Sequence, residues 1–233
     1  IPLELPGFGD NPSDDYHSLG ALAEALLEMT EPGHPIFAAG VNGLVALHAL
    51  RRRPGHFSTL YLLAPVGAFL WQRRFVKLMS PKPIRATIHY LLRNRPKIFK
   101  RKFSSQTWTD AQYVRMGEGY RKCRAFQTYF DIVKPVDALD LFEYIRDRVV
   151  LIWGKNDAVL GLRQAAAWDS ILARADLGIH VRDDWEHYPY IDDPAGFAAT
   201  MESHPRGFRA HSKAGRLQLA HLAGLPVPKS QTM

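Results

Sequence analysis

Cysteine is nearly absent: Cys123 stands alone among 233 residues. A single thiol excludes an internal disulfide framework and is compatible with a reducing compartment. Its neighbours Arg121, Lys122 and Arg124 place it in the middle of a helical stretch, far from any turn, which is not the setting of a catalytic thiol. Long apolar runs are missing too, so no stretch is long enough to span a bilayer. Acidic residues vanish between Glu31 and Asp110 and again after Glu202. There is no initiator methionine, and the opening Ile1-Pro2-Leu3 looks like the tail of a strand. Further strands are therefore expected upstream, and the lack of a leader says little about localisation. Localisation is left open, with cytoplasmic or membrane-peripheral placement expected. Neither a cofactor nor a metal site is read from the sequence. No nucleic-acid motif accompanies the basic stretches, so no nucleic-acid partner is expected.

What is present is an ordinary globular composition, 46% hydrophobic and 23% charged, in a chain long enough for one well-buried core. The formal charge of +7 is unevenly spread. Gln72 to Phe103 carries eleven Lys and Arg residues interleaved with large side chains, Trp71 just before it and Phe75, Tyr90, Ile98 and Phe99 within it. Such a segment is either a solvated basic face or a surface for an anionic partner, a phospholipid headgroup or a phosphate-bearing thioester carrier.

Taken in order, Leu3 to Pro12 exits a strand into a Gly- and Pro-rich loop, and Asp14, Asp15 and Ser18 offer helix caps. Apolar residues at Leu19, Leu22, Ala23, Leu26 and Leu27 have helical spacing over Leu19 to Met29. The stretch Ile36 to Leu50 then begins as a buried strand, crosses a turn of small residues and continues as an apolar helix closed by Arg51, Arg52, Arg53 and Pro54. Strand, sharp turn and helix make the layout of a nucleophile elbow, whose pattern is G-x-S-x-G. Here the serine is missing. Counting back from the helix puts Gly40 at the raised position, between Ala38 and Asn42; counting forward from the strand puts Val41 or Asn42 there. None of the three supplies an ordinary nucleophile.

Phe57 to Ala64 reads as a buried parallel strand, and strands alternating with helices argue an α/β fold with a mostly parallel sheet. The rhythm stops after Gly67. Pro81, Pro83 and Pro96 are expected to break the next part into short helical pieces, Thr109 to Val133 to form one longer helix, and Val136 to Arg146 a further short one. An insertion of this length between two strands is a helical cap rather than a loop. Its aromatics, among them Tyr113, Tyr120, Phe126, Tyr129 and Phe130, either line a pocket or simply pack. The rhythm returns at Val149 to Gly154, a strand followed by the turn Lys155-Asn156-Asp157. A helix over Leu162 to Ala175 and a strand over Gly178 to Arg182 come next. The loop that holds Glu186-His187-Tyr188-Pro189 leads to a helix starting near Pro194. The expected division is 1–67 core, 68–147 cap, 148–204 core and 205–233 a basic, loosely ordered tail.

Three of these stretches together resemble the α/β-hydrolase superfamily, in its cap-bearing branch. Leu5-Pro6-Gly7-Phe8-Gly9 is similar to that family's Asp-Leu-Pro-Gly-Phe-Gly loop, with Glu4 in place of Asp. Trp153-Gly154-Lys155-Asn156-Asp157 resembles the strand-end motif whose Asp is the triad acid. Glu186-His187-Tyr188-Pro189, followed by Asp193-Pro194, resembles the loop that carries the triad histidine, with Glu186 where Gly is usual. The resemblance implies an α/β-hydrolase fold, a His187–Asp157 dyad, and an oxyanion hole using the N–H of Val41 with a second donor upstream of residue 1.

Three function classes follow. One is a hydrolase acting on an ester-, thioester- or lipid-like small molecule, its dyad activating water. Another is a lyase or decarboxylase using the dyad for proton transfer. The third is a catalytically silent binding protein. In the N-myc downstream-regulated family, which the chain resembles only at the elbow, Gly also holds the nucleophile position and the fold serves interaction. Expected partners are a small-molecule substrate or ligand and an anionic membrane surface met through the basic cap.

Overall fold

A computed structural model describes residues 2–68, 74–99, 108–133, 141–203 and 205–224. Four strands, β1 (Ile36–Ala39), β2 (Leu60–Leu63), β3 (Arg148–Gly154) and β4 (Asp176–Arg182), pair in parallel and in chain order. A two-residue strand, β5 (Phe208–Arg209), closes the far edge antiparallel to β4. β2 is buried at every position, which is why its sequence is an unbroken apolar run instead of an alternation.

Successive side chains of a strand point to opposite faces, and here each face has its own core. Leu60, Leu62, Val149, Leu151, Trp153, Leu177 and Ile179 belong to the larger one. It is covered by helices α1 (Leu19–Glu28) and α2 (Asn42–Arg52), the first capped by Ser18, whose hydroxyl accepts from the Ala21 N–H at 3.0 Å. Tyr61, Leu63, Val150 and Ile152 form the smaller core with Trp185. Each fully buried leucine contributes roughly 1.5–3 kcal/mol, so the two-sided burial of β2 and β3 is the main anchor of the sheet.

Between β2 and β3 the described residues hold α3 (Arg74–Met79), α4 (Lys82–Asn94), a 3₁₀ turn at Pro96–Phe99, α5 (Asp110–Arg121) and α6 (Phe126–Val133). The region is divided, as expected, at Pro81, between α3 and α4, and at Pro96, which opens the 3₁₀ turn after α4, whereas Pro83 makes no break. Pro81 is the cap of α4 and Pro83 lies in its first turn, where a missing N–H costs nothing, and the helix runs for 13 residues. The single helix expected over Thr109 to Val133 is two. The chain breaks at Lys122 to Ala125 so that the Ala125 N–H can donate to the Gly7 carbonyl at 3.0 Å. Cys123 therefore lies between helices, not within one, and burial pushes its thiol up to about 11. Arg85 is wholly buried. It donates to the Ser80 carbonyl and to Asp131 Oδ2, both at 2.9 Å, and stacks on the Phe130 ring, tying α4 to α6.

After β3 come α7 (Arg163–Ile171), β4, the single turn α8 (Pro189–Asp192) and α9 (Pro194–Glu202), whose Phe197 and Met201 pack on the smaller core. The expected loosely ordered tail is corrected over 205–224. There β5 is followed by α10 (Lys213–Ala223), capped by Ser212, with Ala210 and Leu219 inside the larger core. Its basic composition hid a helix that is buried on one side only. Segments 69–73, 100–107, 134–140 and 225–233, with Arg73, Lys100, Arg101 and Lys102 among them, lie outside the described residues. No helix among the described residues is long and apolar enough to cross a membrane.

Candidate active site

Parallel strands end on a common edge, and the loops that leave β1, β3 and β4 there carry the candidate residues. The first follows β1. Gly40 has φ +55°, the left-handed region that glycine enters without strain, whereas Val41 is already helical and Asn42 opens α2. Of the three elbow candidates, Gly40 is thus the residue at the sharp turn. Its N–H donates to the Leu63 carbonyl at 2.9 Å, and its carbonyl accepts from the Val66 N–H at 3.0 Å. A side chain built there would meet no atom within 4 Å of its Cβ. Among the described residues, no partner accepts the Val41 N–H. Asn42 is exposed, and its Oδ1 accepts the hydroxyl proton of Tyr129 at 2.7 Å.

The second and third loops follow β3 and β4 and are stitched together. Lys155 N–H donates to the Arg182 carbonyl at 2.9 Å, Asn156 N–H to the Trp185 carbonyl at 3.2 Å, and Asn156 Nδ2 to the Asp183 carbonyl at 2.8 Å. Gly154 permits this approach: a Cβ at that position would lie 2.5 Å from the Glu186 and Trp185 carbonyl oxygens. Trp153 braces the same loop by donating its indole N–H to the Leu160 carbonyl at 2.6 Å.

The stitched loops bring Asp157 to His187. His187 Nδ1 donates to Asp157 Oδ2 at 2.8 Å. The other oxygen, Oδ1, accepts from the N–H groups of Val159 and Leu160 at 2.8 and 2.7 Å. Three donors converge on one carboxylate whose side chain is 0% exposed, while the imidazole keeps 11% of its surface accessible. With Nδ1–H committed to Asp157, Nε2 is the ring atom able to accept a proton.

Helix α5 rests on the loop carrying His187. Trp108 donates its indole N–H to Asp192 Oδ1 at 2.6 Å, Gln112 Nε2 to the Ile191 carbonyl at 2.8 Å, and Tyr120 hydrogen-bonds Tyr188. Burial raises the phenol pKa of both tyrosines, so they remain neutral. An open groove of about 580 Å³ between α4 and α6, lined by Lys82, Pro83, Ala86, Gln127, Thr128 and Asp131, includes none of Gly40, Asp157 and His187. Among the described residues no group of three or more His, Cys, Asp or Glu could hold a metal ion.

Residues 1–200 match the sequence model of the alpha/beta hydrolase family. The chain belongs to that family. A curated relative of this α/β hydrolase, the pimeloyl-acyl-carrier protein methyl ester esterase of Neisseria meningitidis, is 24% identical over 231 residues, 96% of this chain and 72% of that protein. An esterase from Exiguobacterium antarcticum shares the fold with a TM-score of 0.66 and 16% identity, over 86% of this chain and 78% of that one. An N-formylmaleamic acid deformylase from Pseudomonas putida does so at 0.63 and 23%, over 85% and 78%. The α/β hydrolase thus has esterase-like relatives. The sequence does not point to Tyr129 as a neighbour of the elbow. Its only signal was an aromatic at helical spacing, and its partner Asn42 lies 87 residues away.

Proposed function

We propose that this α/β hydrolase cleaves an ester- or thioester-bearing, or lipid-like, small molecule by activating water directly through His187 and Asp157, with no serine nucleophile. The observation that carries the reading is the 2.8 Å bond from His187 Nδ1 to Asp157 Oδ2, on the sheet edge where Gly40 makes its turn. His187 Nε2 takes a proton from water as the oxygen adds to the carbonyl carbon. The oxyanion gathers near the Val41 N–H. The imidazolium then returns its proton to the departing alkoxide or thiolate as the C–O or C–S bond breaks. Without a covalent intermediate, turnover is slow, since general-base help alone gives about 10²–10⁴-fold. Gly40 also supports a second reading, a catalytically silent binding protein, in which ligand binds and nothing is released.

Steady-state hydrolysis of a p-nitrophenyl ester series tests it. Slow turnover is expected, falling about 100-fold or more in His187→Gln and in Asp157→Asn. Fluorophosphonate probes should leave the parent unlabelled and should label Gly40→Ser. Turnover indifferent to His187 would overturn the hydrolytic reading, and strong labelling of the parent would overturn the absence of a serine nucleophile.

We also propose an anionic membrane surface as a partner of the inserted helices. Its support is the exposure of Lys77, Lys82, Arg95 and Lys97 together with Leu78, Tyr90 and Ile98.

A further inference from the structure

We infer that Asn42, held by Tyr129, donates a side-chain N–H to the carbonyl oxygen of the ligand, and that Tyr129 acts as the positioning residue for it. The inference rests on the hydrolytic reading of the same edge and adds a donor to it. Asn42 stands two residues after Gly40, where the G-x-S-x-G pattern has glycine, which has no side chain to offer. It is the first residue of α2, exposed, beside the Val41 N–H.

What fixes its orientation is Tyr129. That side chain reaches in from α6, buried, with its ring edge-on to Phe8 at 5.1 Å between centroids. Its hydroxyl donates to Asn42 Oδ1 at 2.7 Å, and burial keeps the phenol neutral and able to donate. Because Oδ1 is occupied, the two N–H bonds of Nδ2 are the end of the carboxamide that remains to donate, and among the described residues no partner takes them. Two donors, Val41 N–H and Asn42 Nδ2–H, would then face a developing oxyanion. Donors of this kind act because they are already oriented, and loss of one side-chain donor costs about 10²–10³ in kcat in the strongest cases. Orientation is what Tyr129 contributes. Removal of its hydroxyl should act through Asn42 and not beside it.

The test measures two things on the parent and on Asn42→Ala, Tyr129→Phe and the double variant. One is the affinity for hexyl methylphosphonate, a stable tetrahedral anion, by titration calorimetry. The other is kcat and KM on p-nitrophenyl esters. Tyr129→Phe keeps the ring against Phe8, and thermal unfolding checks that each variant is folded. Asn42→Ala should weaken phosphonate binding by about tenfold or more and lower kcat with KM little changed. Tyr129→Phe should lose part of the same amount, and the double variant no more than Asn42→Ala alone. Equal phosphonate affinity in parent and Asn42→Ala, no phosphonate binding by the parent, or a Tyr129→Phe loss that persists undiminished on the Asn42→Ala background would each overturn the inference. His187→Gln separates it from the hydrolytic reading. If turnover ignores His187 while the phosphonate pattern holds, the hydrolytic reading falls and the Asn42 contact stands. If His187 carries turnover while Asn42→Ala changes nothing, the Asn42 contact falls alone.

Discussion

The side chain of His48 is buried along α2, with Nδ1 enclosed and without a hydrogen-bond partner. Burial lowers its pKa below the ordinary 6.5, and the nearby Arg51 and Arg52 push the same way while Glu24 opposes them. A base whose folded pKa is depressed is neutral in the native state and protonated more readily when unfolded. Its effect on stability is absent above the unfolded pKa and grows as pH falls through 6.5 towards the folded value, where the unfolded chain binds the extra proton. His180 contributes in the same direction, its pKa lowered first by burial and then by Arg182, with Nε2 again unpartnered. His48→Gln, which cannot titrate, should lose less stability than the parent between pH 8 and pH 5.5. Urea unfolding midpoints at the two pH values check this. Parallel losses in both proteins would show that His48 is not depressed by its surroundings.

At the scale of elements, the C-terminal segment shows what a helix needs in order to count as part of the fold. α10 has a weak pattern of its own, yet Leu219 reaches the larger core, and His211 lies 3.0 Å from Asp169 Oδ1 on α7 and 3.1 Å from the Leu172 carbonyl. Leu219→Ala should therefore destabilise the whole molecule by about 2–4 kcal/mol in urea unfolding. A change below about 0.5 kcal/mol would mean that α10 unfolds on its own. The same comparison explains which parts of the fold could be read from the sequence. β1 to β4 and α1 were legible because full or one-sided burial leaves apolar runs or helical spacing in the residues themselves. The juxtaposition of Asp157 with His187 was legible only as a resemblance of two motifs 30 residues apart, and their bond depends on Gly154 letting the loops touch. The elbow register was not legible, since composition cannot distinguish Gly40 from Asn42 and a backbone angle can. Nor could the sequence give the break at Cys123, set by the distant Gly7 carbonyl, or the meeting of Tyr129 with Asn42.

For the whole molecule, the net charge of +7 matters less than where it sits. The inserted helices expose Lys77, Lys82, Arg95 and Lys97, and also Leu78, Tyr90 and Ile98, which are 55%, 56% and 62% exposed. Lys97 is paired with Asp110 at 2.7 Å, a contact between exposed groups that holds little of its field. Cations beside an anionic bilayer are worth about 1 kcal/mol each, and exposed apolar side chains add to this by entering the headgroup region. The same insertion carries Trp108, Gln112 and Tyr120 onto the His187 loop. Vesicle co-sedimentation distinguishes a membrane contact from a basic face that only meets water. Phosphatidylserine-containing vesicles should bind the protein at low salt and neutral vesicles should not. Binding should fade as ionic strength rises past about 0.1 M, where the screening length falls to about 10 Å. Changing Lys77, Lys82 and Arg95 to Gln should weaken binding and flatten its salt dependence, whereas Leu78→Ser with Ile98→Ser should weaken it with the salt dependence kept. If the parent ignores anionic vesicles at low salt, these exposed cations do no more than keep the insertion in solution.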